Sequence, residues 1–170
     1  MKKVLIIDTS ILCVWLDVPG MDDCGPDHDK WDKDRVANKI QEEEHARTTF
    51  VLPLATIIET GNHISQSSQY RRERGESLAD LIRKSANSET PWAAFSEQSV
   101  LWSAEKLRQL ADSWPELASQ KLSLGDATIK DVAEYYAQMG YRVEILTGDS
   151  GLKAYEPMEP AEIPRRKQRR

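Results

Sequence analysis

The sequence predicts an α/β protein built on a mainly parallel sheet with helices on both faces. Val4-Leu5-Ile6-Ile7 joins four aliphatic residues without polar alternation, as a strand buried on both faces requires. Ile129, Val132, Ala133, Tyr136 and Ala137 recur at i, i+3, i+4, i+7 and i+8, the stripe of a helix laid on a sheet. Between these segments extended and helical patterns alternate, the order that βαβ units produce.

A chain of 170 residues suits one domain with a sizeable core. With 39% hydrophobic and 30% charged residues, it reads as a globular protein with a polar surface. No apolar run approaches the roughly 18 residues of a membrane span. Met1-Lys2-Lys3 resembles the start of a signal peptide, but Asp8 interrupts the apolar segment and no small-residue cleavage site follows Leu16. The expectation is a cytoplasmic protein. Cys13 and Cys24 are too few for a disulfide framework, and Cys13 reads as a small buried hydrophobe. The net charge is -5, yet Arg165, Arg166, Lys167, Arg169 and Arg170 put five positive charges into the last six residues. Removing those five from -5 leaves a body near -10, which suits a metal-binding cluster or a solvated acidic surface.

Along the chain, the first strand stops on Asp8-Thr9-Ser10, and Ile11 to Leu16 reads as a short helix before Pro19-Gly20. Residues 21–34 are polar and rich in turn formers, so a loop is expected. Cys24 and His28 supply only two local ligands where structural zinc takes four, which favours an exposed loop over a zinc site. Arg35 to Arg47 reads as a mostly exposed helix. Thr48 to Leu52 reads as a second strand, stopped by Pro53. Leu54 to Ile64 is helical and carries Glu59, with Asn62 and His63 on the same face one turn later. Arg71, Arg72 and Arg74 form a basic group, either a solvated helix surface or a phosphate-contacting patch. Leu78 to Lys84 continues as helix. Glu97 to Ala111 reads as one amphipathic helix with Val100, Ala104, Leu107 and Ala111 on its inner face. Trp92, Trp102 and Trp114 are expected as core or interface anchors. The helix opening at Leu122-Ser123-Leu124-Gly125-Asp126 should end at Gly140. Tyr141 to Leu146 is then a third strand, ending on Thr147-Gly148-Asp149-Ser150.

Two strands thus end on Asp, and two helices carry acids near their starts. Singly, each acid has a capping explanation: Asp8 before a helix at Thr9, Glu59 at capping-box spacing from Thr56, Asp126 at the same spacing from Ser123. Together they would meet beyond the carboxyl ends of the strands, where open α/β sheets bind ligands. Clustered carboxylates repel unless a cation neutralises them, and hard divalent cations with oxygen ligands are the natural partners. Such ions activate water and stabilise the leaving oxygen of a phosphodiester.

The ordered set Ile6-Ile7-Asp8-Thr9-Ser10, Glu59 after the second strand, Leu124-Gly125-Asp126-Ala127 and Leu146-Thr147-Gly148-Asp149 resembles the PIN-domain nucleases, most of all the VapC-type ribonuclease toxins. The match runs from Val4 to Leu152. The resemblance implies a three-layer α/β/α sandwich over residues 1–156 and a metal-dependent endoribonuclease. It implies that Asp8, Glu59, Asp126 and Asp149 form a catalytic quartet holding Mg²⁺ or Mn²⁺, with Ser10 and Thr147 as supporting hydroxyls. RNA as substrate, an antitoxin protein as partner and a homodimer are implied in the same way. Helix geometry adds Asn62 as a supporting residue, and Arg71, Arg72 and Arg74 are the candidate substrate contacts. The polar insertion at about 18–48 and the basic tail at 157–170 depart from the family pattern.

Two other readings compete. A catalytically silent PIN-like module would bind nucleic acid or protein, its acids serving as caps. A phosphohydrolase with a strand-end Asp nucleophile would need a second Asp two residues on, where Ser10 stands.

Overall fold

The computed structural model describes residues 1–159; the tail expected at 157–170 lies, from residue 160 onward, outside the described residues. The chain is a mixed α/β protein on a small parallel sheet. Its strands are β1 (Lys3–Ile7), β4 (Thr49–Val51) and β5 (Arg142–Leu146), in the order β4-β1-β5. Both pairings are parallel, with Leu5 opposite Phe50 on one side and Glu144 on the other. The central strand is therefore the one whose four aliphatics need cover on both faces.

Alternation of β1 side chains sends them into two separate cores. Leu5 and Ile7 join Phe50 and Leu52 with residues of α1 (Thr9–Trp15), α2 (Lys33–His45), α3 (Leu54–Gln66) and α4 (Arg71–Ala86). Val4 and Ile6 join Val51, Val143 and Ile145 with Ile129, Val132, Ala133 and Tyr136 of α6 (Leu124–Gln138). The stripe expected on α6 is the buried one, and Gly140, at φ 86°, ends the helix as expected. Trp92 is buried in the core, edge-on to Phe50 and stacked on Trp15.

Three expectations need correction. Residues 21–34 are not merely a loop: β2 (Asp23–Cys24) and β3 (Trp31–Asp32) pair as a short antiparallel ribbon, and α2 begins at Lys33. Asp32 caps α2 by accepting from Arg35 N, which moves the helix start ahead of Arg35. The single helix expected over Glu97 to Ala111 is two elements. A 3-10 helix spans Phe95–Trp102, and Ser103 breaks the chain to cap α5 (Ala104–Ser119). α5 buries none of its residues; Leu107 is 43% exposed and Val100 47%. Finally, Thr56 does not form a capping box with Glu59; its hydroxyl donates to Ile7 O at 2.9 Å, tying α3 to the end of β1.

Both sheet edges are occupied. Phe50 on β4 pairs with the segment around Trp92 through Phe50 N to Pro91 O and Ala93 N to Phe50 O, each 2.8 Å. On β5, Ile145 N donates to Glu156 and Ile145 O accepts from Lys153 Nζ. Side chains thus fill a ladder position that a further strand would otherwise claim.

Away from the strand ends, Lys3, Lys39, Glu43 and Glu144 form a ring of ion pairs joining β1, α2 and β5, with Lys39–Glu43 at 2.6 Å. Thr48 also donates to Glu43. Burial would raise the Glu43 carboxyl, but Lys3, Lys39 and Thr48 outweigh it and hold the group down to about 2. A carboxyl depressed in the folded state stabilises fully above its unfolded value of 4.5, and that stabilisation is lost as pH falls toward 2. Glu43→Gln should cost about 2–3 kcal/mol near neutral pH. Thermal unfolding followed from pH 7 down to pH 2 should show the difference between the two proteins closing below pH 4.5; a difference that does not change with pH would rule out the ion-pair ring as its cause.

Candidate active site

The carboxyl ends of β1 and β5 meet at Asp8. Its backbone N–H bonds to Leu146 O, continuing the ladder one residue past the strand, and its carbonyl accepts the first turn of α1 from Leu12 N. The side chain is only 4% exposed. Oδ2 accepts from Ser10 Oγ at 2.8 Å and from Thr147 Oγ1 at 2.8 Å, with a longer capping contact from Ser10 N. Asp8 is the N-cap of α1, as its position before Thr9 suggests. None of these bonds uses Oδ1.

The other acids arrive from separate elements. Glu59, on α3, accepts at Oε2 from Thr9 Oγ1 at 3.0 Å. Its Oε1 lies against Gly125 at the start of α6, where a Cβ would collide with it. The helix therefore carries glycine at a position where α3 and α6 close on each other. Asp126 follows in the first turn of α6, its N–H donating to Ser123 Oγ at 3.0 Å in the expected cap. Asp149 caps α7 (Ser150–Lys153) through Oδ1, which accepts from Gly151 N and Leu152 N. Thr147 Oγ1 accepts from Asp149 N at 2.9 Å and Gly148 N donates to Ser10 Oγ at 3.0 Å, stitching the two strand-end turns together.

Electrostatics records the convergence. The Asp126 carboxyl is pushed up to about 6, by burial first, against the hydrogen bond with Ser123, and then by the charges of Asp8, Asp149 and Glu59. The ion pairs of the described residues do not involve these four acids: they lie in the Lys3–Glu43 ring, on helix surfaces, and around the segment 17–35 and the end of the described chain. Among the described residues, no three His, Cys, Asp or Glu side chains stand close enough to enclose an ion by themselves. Carboxylates without a counter-ion stand apart. Mg²⁺, moreover, is commonly held by one or two of them, with waters and substrate oxygens completing the shell. Carboxylates are the donor type that hard divalent cations take, and Asp8, Glu59 and Asp149 each keep an oxygen outside the hydrogen bonds described above.

The supporting residues divide. Ser10 and Thr147 each donate a hydroxyl to Asp8 Oδ2. Asn62 is exposed on α3, where its carbonyl accepts from Ser65. Arg71, Arg72 and Arg74 lie on α4 with partners inside the chain: Arg71 donates to Ser67 O and Arg72 to Glu76 nearby, whereas Arg74 reaches Asp17 O beyond α1. Thr9, Gly125 and Gly148 were missed in the sequence. A glycine one residue before an acid in a helical first turn is a readable sign of close approach. Thr9 next to Asp8 gave no sign that it would reach α3. Cys24 was set aside as a loop residue, yet its Sγ lies against Gly148, where a Cβ would come within 2.7 Å of it. Burial pushes the Cys13 thiol up to about 11 and raises Cys24 as well, so both stay protonated and unreactive near neutral pH.

Compared with known proteins, this chain matches no family model, no curated protein and no solved structure. What the site can do must be argued from its own geometry.

An acid raised in the folded state costs stability once pH exceeds its unfolded value, here 3.8, and the cost is complete above about 6. Asp126→Asn should therefore melt a few °C higher than the native chain at pH 7.5, with the gain shrinking toward pH 4. Equal melting temperatures at both pH values would show that Asp126 is not under repulsion from its neighbours.

Proposed function

We propose that this protein is an Mg²⁺- or Mn²⁺-dependent endoribonuclease of PIN type. The observation that carries it is the meeting of four acids from separate elements. Thr147 ties Asp8 to the turn before Asp149, and Thr9 ties Glu59 to the start of α1. Glu59 lies against Gly125 beside Asp126, whose carboxyl is raised by burial and then by those neighbouring charges. Repulsion of this kind opposes folding unless a ligand relieves it, and sites that bear it are disproportionately functional. The two cores on opposite sides of β1 support reading the helices as layers flanking the sheet, the α/β/α sandwich of that fold.

Asp8, Glu59, Asp126 and Asp149 would hold the metal, which when bound activates water and stabilises the charge on a phosphodiester's oxygens. The protein's own part is orientation. Ser10 and Thr147 fix Asp8 by holding one of its oxygens, and Thr9 does the same for Glu59. The Gly125 approach keeps Glu59 beside the first turn of α6, so that it and Asp126 face one substrate phosphate. An antitoxin partner, a homodimer and a cytoplasmic setting belong to the toxin form of this reading. Among the described residues no helix is long and apolar enough to cross a membrane.

One observation favours the silent-module reading. Asp8 and Asp149 serve as caps and Asp126 sits in a capped first turn, duties that persist without catalysis. A single assay decides. Labelled RNA and single-stranded DNA are incubated with the protein in Mn²⁺ or EDTA, beside Asp126→Asn. Cleavage of RNA in Mn²⁺ is expected, abolished by EDTA and reduced in the variant by about 10²-fold or more, as loss of a transition-state electrostatic contact implies. Undiminished cleavage by pure Asp126→Asn overturns the assignment, and an inert native protein favours the silent module.

Independently of turnover, Mn²⁺ at saturating concentration should raise the melting temperature of the native chain, because it binds the folded state preferentially. Asp126→Asn should lose most of that increment. An unchanged melting temperature in the native chain would argue against a metal at this edge.

A further inference from the structure

The ribbon formed by β2 and β3 has no part in holding the acids, yet it is built against them. Gly148 stands where Cys24 Sγ and Gly25 N would meet any Cβ at 2.7 and 2.8 Å, so the ribbon sits directly on the turn leading to Asp149. The ribbon is itself firmly made. Gly25, at φ 93°, packs against Asp29 O, and Asp29 N closes a turn on Pro26 O. Arg35 binds Asp29 and Lys30 O and lays its guanidinium 3.8 Å from the Trp31 ring centroid. Trp31 is thus held by a cation over its ring, packs in part against the core, and keeps a partly exposed edge toward the end of β5.

Between the ribbon and the end of β5 lies a cavity of about 360 Å³, bounded by Pro26, His28, Trp31, Gly148, Asp149 and Lys153. That volume is at the lower end of the roughly 300–1,000 Å³ that enclose small ligands. We propose that this cavity is a nucleobase subsite, in which Trp31 stacks the base of a nucleotide adjoining the phosphate at the acid edge. This rests on the nuclease reading for what lies next door.

Three features select a base over other occupants. The walls combine an indole held by Arg35 with backbone of the strand-end turn, a platform that accepts a flat heteroaromatic ring. Asp29, Glu144 and Asp149 border the cavity alongside Lys153 and His28, so a phosphate is disfavoured inside it and a neutral ring is not. An extended peptide added to β5 is disfavoured as well, because Ile145 already bonds Glu156 and Lys153. Asp149 belongs to both the cavity and the acid edge, so a base seated here leaves its own backbone phosphate beside the carboxylates.

The test measures binding and cleavage separately. Fluorescence anisotropy of a labelled single-stranded RNA 12-mer in Ca²⁺, a hard cation that neutralises carboxylates, reports binding by the native chain, Trp31→Phe, Trp31→Leu and Trp31→Ala, each checked for an unchanged melting temperature. Trp31→Leu keeps apolar bulk without a ring, and Trp31→Phe keeps a ring. We expect Trp31→Ala and Trp31→Leu to bind about 5- to 150-fold more weakly, the range produced by losing one base–aromatic stack, and Trp31→Phe to retain most of the affinity. Equal binding by Trp31→Leu and the native chain, or no RNA binding by either, overturns the subsite. Ring-dependent binding in a protein that never cleaves in Mn²⁺ would leave the subsite standing and remove the nuclease reading alone.

Discussion

The bond from Thr147 to Asp8 crosses between adjacent strand ends, and the rest of the site is arranged around it. Buried beyond the last ladder pair, it fixes where β1 stops relative to β5. Ser10 joins the same oxygen and also takes the N–H of Gly148, so two turns from opposite ends of the chain share one set of hydrogen bonds. Removing either hydroxyl would leave a buried carboxylate short of a donor, which costs more than the bond contributes when made. Strand order, turn geometry and carboxylate orientation are therefore one constraint.

Capping and metal binding are often treated as rival explanations for an acid at a helix start. Here they use different atoms. Asp8 commits Oδ2, Glu59 Oε2 and Asp149 Oδ1 to neighbouring donors, and in each the second oxygen takes no part in those bonds. A structural role that holds one oxygen also fixes the direction of the other, which is what pre-organised coordination requires. Capping by Asp8 and Asp149 is thus compatible with either reading of the site, because it occupies one oxygen of each.

Much of the fold was legible because it depends on period and punctuation. β1 announced itself by unbroken aliphatics, α6 by its stripe and its closing glycine, and Asp8 and Ser123 by cap chemistry. The misreadings have definite causes. Ser103 was read as one polar residue on a continuous helix, although Ser is as much a cap as a helix surface residue. The apolar spacing of Val100 and Leu107 ran across that break and implied a buried face that the structure leaves open. The ribbon at 23–32 was hidden because two-residue strands carry no period, and it is held by the Gly25 turn, by the Lys30–Asp23 pair and by Arg35 reaching Asp29, Lys30 O and Trp31. The pairing of Thr9 with Glu59 joins residues 50 apart and depends on how α1 meets α3, which local pattern does not encode.

A three-stranded sheet has little interior, and its edges are closed in a way that leaves the carboxyl end as the side where the acids gather. The outer edge of β4 bonds to the segment at Trp92, and Ile145 on β5 is claimed by an ammonium and a carboxylate. Strand addition at those positions would have to displace bonds already made. Beyond the carboxyl ends the backbone has turned away into α1 and α7, whose first N–H groups are satisfied by Asp8 and Asp149 themselves. At that end of the sheet, which the ribbon and its cavity border, burial and the charges of Asp8, Asp149 and Glu59 together raise the Asp126 carboxyl.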